Sequence, residues 1–165
     1  MTDEGNGSSK FFATAQTEDE WPLIIASKFN IPYLLHKKGF GKVIIYLFYD
    51  IFLIVSFFWN FLQKVYGEVY SVDDLMLSKM DELECHPSYY TRVQTLVILE
   101  DGSKLNPWIY FIMDYKPELL KLNTYDNYSS YGEHGLPYVE RSERNQTIDG
   151  TDEKYDVFSD IKLFL

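Results

Sequence analysis

At 165 residues, with 46% hydrophobic and 24% charged residues, the chain is sized for one packed domain, at most with a tail, and wholesale disorder is excluded. Its 15 Lys plus Arg against 25 Asp plus Glu leave a formal charge of −10, which argues against gripping a phosphate backbone, so no nucleic-acid partner is expected. The single cysteine, Cys85, allows neither an internal disulfide nor a cysteine-based zinc site, and it points to a reducing, cytosolic compartment.

Residues 1–10 read as a loose polar head with no secretory pattern of a basic start followed by an apolar run. Residues 11–17 alternate as a strand does. Two short apolar runs, 21–26 and 31–35, are bounded by Pro22 and Pro32 and fit buried strands. Gly39 and Gly41 mark a turn. Residues 43–62 then form about twenty nearly unbroken apolar positions, the length of a bilayer-spanning helix, interrupted by Asp50, Ser56 and Asn60. A buried hydrophobic hairpin is the alternative for this stretch.

Residues 65–72 alternate as a strand. Ser71, with Asp74 three positions on, reads as a capping-box variant opening a helix. Met76, Leu77, Met80 and Leu83 follow at helical spacing, and Pro87 ends the helix near Cys85. Residues 90–99 and 104–113 read as strands joined by a hairpin at Asp101-Gly102. Residues 117–122 suit a short helical turn, and 125–138 an aromatic loop. The chain from residue 140 is an acidic tail that ends in Ile161, Leu163, Phe164 and Leu165.

Glu84 is the most suggestive acid. It lies one turn after Met80 and two after Leu77, on the apolar stripe of the helix. It also sits at the helix C-terminus, where carbonyl dipoles oppose negative charge, and three residues from Asp81. Burial, dipole and neighbour all favour the protonated form, as a carboxyl that exchanges protons near neutral pH requires. The competing reading is a solvated acid at a helix end. His36, His86 and His134 share no metal-ligand spacing, so no metal site is expected. Cys85 reads as a buried filler rather than a nucleophile paired with His86.

Three stretches carry a resemblance: 21–42, 67–92 with Gly-Glu-Val-Tyr at 67–70, Met-Asp-x-x-Glu at 80–84 and Tyr-x-Arg at 90–92, and 125–138. In this order they resemble the γ-glutamylcyclotransferase family, most closely its γ-glutamylamine branch. The resemblance implies an α+β fold: a small mixed β-barrel with flanking helices, spanning residues 11–139. It implies intramolecular acyl transfer on a small γ-glutamyl molecule by a monomer, giving 5-oxoproline and a free amine without metal or organic cofactor. The family's catalytic acid/base falls on Glu84. Ile31, Tyr90 and Tyr131 are pocket candidates.

Two departures accompany the resemblance. The family's first strand and its Tyr-Gly-x-Leu loop, which binds substrate, have no counterpart in this sequence. Without them an impaired variant or a binding module is the alternative reading. The second is the insert at 43–63: deleting it restores family spacing, as expected for a translated intron read in frame. A spanning helix inside one small barrel would part its strands across a bilayer, so membrane attachment is the less favoured alternative.

Overall fold

The computed structural model describes residues 7–40, 63–140, 147–148, 151–154 and 157–163. The apolar stretch at 43–62 and its intron or membrane readings lie outside the described residues. No helix among the described residues is long and apolar enough to cross a membrane.

The strands are β1 (Ser9–Thr17), β2 (Leu23–Ala26), β3 (Ile31–Leu34), β4 (Tyr66–Val72), β5 (Tyr90–Gln94), β6 (Val97–Leu99), β7 (Lys104–Leu105), β8 (Trp108–Ile112), β9 (Thr124–Tyr125), β10 (Thr147–Ile148) and β11 (Thr151–Lys154). The helices are α1 (Asp74–Leu83), a 3₁₀ turn at Pro117–Lys121, and α2 (Val157–Ile161). The class is α+β. Strands pair antiparallel in the orders β4-β1-β6-β7, β3-β2-β9, β5-β8 and β10-β11. A parallel bridge, Leu35 to Ile112, ties the second set to the third. Among the described residues no ladder of paired strands joins these sheets into a closed barrel.

Local chemistry explains most of these elements. Along β1, Ala15 and Thr17 turn inward while Phe11 and Phe12 stay exposed. The strand begins at Ser9 rather than residue 11, because Lys10 and Ser9 continue the pairing onto Ser71 and Val72. Ser71 is thus a strand residue. The helix cap is Asp73, whose carboxylate accepts the Met76 N–H at 2.8 Å and the Ser8 N–H and hydroxyl at 2.7 and 2.8 Å. Gly7 makes this approach possible: its φ is +74°, and a Cβ there would stand 2.5 Å from the Met76 nitrogen.

The two long strands expected at 90–99 and 104–113 each divide between sheets. Pro107 has no N–H for a ladder, and its carbonyl instead accepts the Thr95 N–H at 3.0 Å. The predicted hairpin forms between β6 and β7, with Gly102 at φ +82° and Asp101 accepting the Ser103 N–H.

The core is Ile24, Tyr33, Leu35, Tyr89, Ile112, Leu119 and Ile161. The acidic C-terminal stretch returns to the body through α2. Ile161 is fully buried, its carbonyl accepts the Lys116 N–H, and Lys162 bridges to Tyr115.

Candidate functional site

A cavity of about 710 Å³ opens between β1, β4 and α1 on one side and the 105–110 segment on the other. Every residue from Val65 to Val72 borders it, and so does every residue from Leu105 to Tyr110. Side chains alternate along a strand, so unbroken runs like these bring main-chain edges to the cavity. Among the described residues β4 is the outer strand of its sheet, and at its start the Tyr66 N–H donates to the Asp126 carbonyl. Leu77 and Met80 form the helical wall, and Phe12, Trp108 and Tyr110 add rings. The size and mixed lining suit a small molecule.

Glu84 is the C-cap residue of α1 and is half-buried. It does not itself border the cavity. Met80, one turn before it, does, and so does Tyr110, whose hydroxyl lies within the electrostatic reach of Glu84. Its N–H donates to the Met80 carbonyl at 2.9 Å, and its own carbonyl accepts the Tyr90 N–H at 3.3 Å. The turn that follows closes as a Schellman motif: His86 N–H to Asp81 carbonyl at 2.8 Å, Cys85 N–H to Glu82 carbonyl at 3.1 Å. Cys85 occupies the left-handed position at φ +51°, normally glycine's place, at a cost of roughly 1–2 kcal/mol. It is exposed, not the buried filler expected from its neighbours. The apolar stripe of α1 also ends earlier than its spacing suggests. Met76, Leu77 and Met80 are half-buried, Leu83 is exposed, and no residue of the helix is fully buried.

Asp81 enters the sequence reading only as a neighbour that repels Glu84, and Arg92 and Tyr110 have no individual role there, yet the three form the polar cluster beside Glu84. The Tyr110 hydroxyl donates to Asp81 Oδ1 at 2.6 Å, and Arg92 Nη1 lies 3.3 Å from Asp81 Oδ2. Burial, then the Asp81 hydrogen bond and charge, push the Tyr110 phenol well above its usual range. Arg92 also lies over the Trp108 ring at 4.7 Å. The Met-Asp-x-x-Glu and Tyr-x-Arg motifs contain two of the three, whereas nothing in the sequence marks Tyr110.

The three pocket candidates part company. Tyr90 is half-buried in β5, stacks on Tyr33 at 6.2 Å and meets Tyr89 edge-on at 5.0 Å. Ile31 is half-buried in β3, pairs with Ala26 and packs against the same core. Tyr131 is 93% exposed in the 125–138 loop. None of the three borders the cavity. The histidines lie apart: His36 stacks on Trp21, His86 accepts the Arg92 N–H, and His134 is bonded within its loop. Among the described residues, no three metal-ligating side chains cluster.

A family model described as gamma-glutamyl cyclotransferase, AIG2-like, matches residues 59–133. The chain is 34% identical to gamma-glutamylaminecyclotransferase B of Danio rerio, covering 96% of this chain and 73% of that one. It is 34% identical to the human gamma-glutamylaminecyclotransferase, over 87% and 88%. The fold matches the crystal structure of an AIG2-like protein from Mus musculus with a TM-score of 0.68 and 33% identity, over 87% and 86% of the two chains. The chain belongs to the γ-glutamyl cyclotransferase, AIG2-like family.

Proposed function

We propose that the chain is a γ-glutamylamine cyclotransferase that uses Glu84 as its acid/base. The observation that carries this reading is a half-buried glutamate at a capped helix end, one turn from the wall of a cavity sized for a small molecule, in a chain of this family. The substrate is a small γ-glutamyl amine, and the cytosol is its setting. The lone cysteine supports that setting.

The chemistry asks little of the protein beyond placement. Glu84 takes a proton from the α-ammonium, and the freed amine attacks the γ-carbonyl of the same molecule. A carbon–nitrogen bond closes the lactam as the bond to the leaving amine breaks. Glu84 hands that proton to the leaving nitrogen as its bond to carbon breaks, then takes the second proton shed by the ring nitrogen and passes it to the departing amine, which leaves as an ammonium, so charge and atoms balance. Well-oriented internal attack reaches effective molarities of about 10⁵ M or more, so holding the substrate folded back supplies much of the rate. A carboxyl shuttle contributes about 10²–10⁴-fold more.

The test is release of 5-oxoproline from ε-(γ-glutamyl)lysine, with γ-glutamyl-alanine as the comparison substrate. Glu84→Gln keeps the side-chain volume but cannot carry the proton, so turnover should fall about 10²–10⁴-fold. Turnover at the wild-type rate in that variant would remove Glu84 from the mechanism. A wild-type chain that forms no 5-oxoproline would overturn the activity itself.

A further inference from the structure

The end of α1 that carries Glu84 has no buried side chain to anchor it. Among the polar contacts that tie it to the β5–β8 hairpin, beside the Tyr90 N–H donated to the Glu84 carbonyl, is a side-chain cluster centred on Asp81. Asp81 receives Arg92 from β5 and the Tyr110 hydroxyl from β8, whose strands pair with Arg92 directly opposite Tyr110. The side chains of Asp81 and Arg92 are only 24% and 18% exposed, so water competes weakly for the contact. Residues three apart on a helix are neighbours, and Asp81 therefore stands beside Glu84.

We propose that Asp81 is a positioning residue for Glu84: clamped between Arg92 and Tyr110, it fixes the last turn of α1 on the hairpin and holds an acidic side chain next to the acid/base. The clamp works at both levels of structure. The Asp81 side chain reaches the hairpin, while its carbonyl accepts the His86 N–H that closes the turn after Glu84. One residue thus sets both the helix end and the turn. Among the described residues, the charged and titratable groups near Glu84 include Asp81 and Glu82 on its own helix, Cys85 and His86 in the turn, Tyr90 and Arg92 on β5, and Tyr110 on β8. Asp81 is the acid among them that the hairpin holds in place.

This inference rests on the cyclotransferase reading, and the experiment separates the two. In Asp81→Asn, kcat should fall about 10–100-fold with KM little changed, because reacting groups displaced by a fraction of an ångström lose rate rather than affinity. Removing the adjacent charge also eases ionisation of Glu84. The acid limb of the kcat profile, and the Glu84 side-chain ¹³C titration followed by NMR, should therefore move to lower pH. The NMR titration needs no turnover and so reads the clamp even if the activity reading fails. Tyr110→Phe, which leaves the Arg92 pair intact, supplies a second and milder variant. It should lower kcat several-fold without moving the limb to lower pH. A Glu84 titration unmoved in Asp81→Asn, or a kcat at the wild-type level in both variants while Glu84→Gln is inactive, would overturn the positioning role and leave the acid/base role standing.

Discussion

The two sides of this molecule are packed by different rules. Around β2, β3 and β8 the space is filled: Ile24, Leu35, Phe111, Ile112 and Ile161 have no exposed surface, and Tyr33 has 1%. Around β1, β4 and α1 the apolar surface faces a 710 Å³ cavity or solvent, with Phe11, Phe12, Tyr66 and Tyr70 all about half exposed. A filled region resists change because removed atoms leave a void, and a hollow one tolerates change because its residues have few partners to lose. The filled half carries the core, and the helix that bears the proposed acid/base belongs to the hollow one.

The contrast can be broken by truncation on each side. Ile112→Ala should cost about 2–5 kcal/mol in chemical denaturation, since Ile112 is fully buried and joins the β5–β8 hairpin to Leu35. An equal loss from Phe12→Ala would erase the contrast. That substitution, at a residue 58% exposed, should instead change stability by no more than about 0.5 kcal/mol.

Between these lies a pH effect on the filled side. The His36 ring is covered on one face by Trp21 at 5.0 Å and met edge-on by Phe111 at 5.2 Å, while the rest of the residue is exposed. Partial burial lowers its pKa. The unfolded chain therefore takes up a proton first as the pH falls. The stability linked to His36 is complete above the ordinary histidine range and is lost as the pH drops through the folded value. Denaturation midpoints measured between about pH 7 and about pH 5 should slope less in His36→Gln than in the wild type. Equal slopes would show that the ring is solvated in practice.

Much of the sheet was legible in the sequence. The alternation of 11–17, the proline-bounded runs before and after Ser27, and the Asp101-Gly102 turn each find their strands and hairpin. What was not legible depends on partners distant in sequence. Nothing local shows that residues 90–99 divide at Thr95, because the cause is a carbonyl at Pro107. Ser71 looked like a cap by spacing, but its pairing with Lys10 draws it into β4, and the cap passes to Asp73, which Ser8 supports. At the site, Glu84 was visible from helix spacing and family motif. The partnership of Asp81 with Tyr110 was not, because a tyrosine in mid-strand carries no sign of the acid that it meets across 29 positions.

α1 has consequences beyond its own length. It is pinned by Ser8 through Asp73 at one end and by the hairpin through Asp81 at the other. Such a bracket answers to salt and acidity more than to grease, since ionic fasteners weaken when counterions crowd them. The interior across the molecule is then free to drift in composition over generations without shifting Glu84, the proposed acid/base. Residues of the cavity wall can then vary while the end of α1 keeps its station.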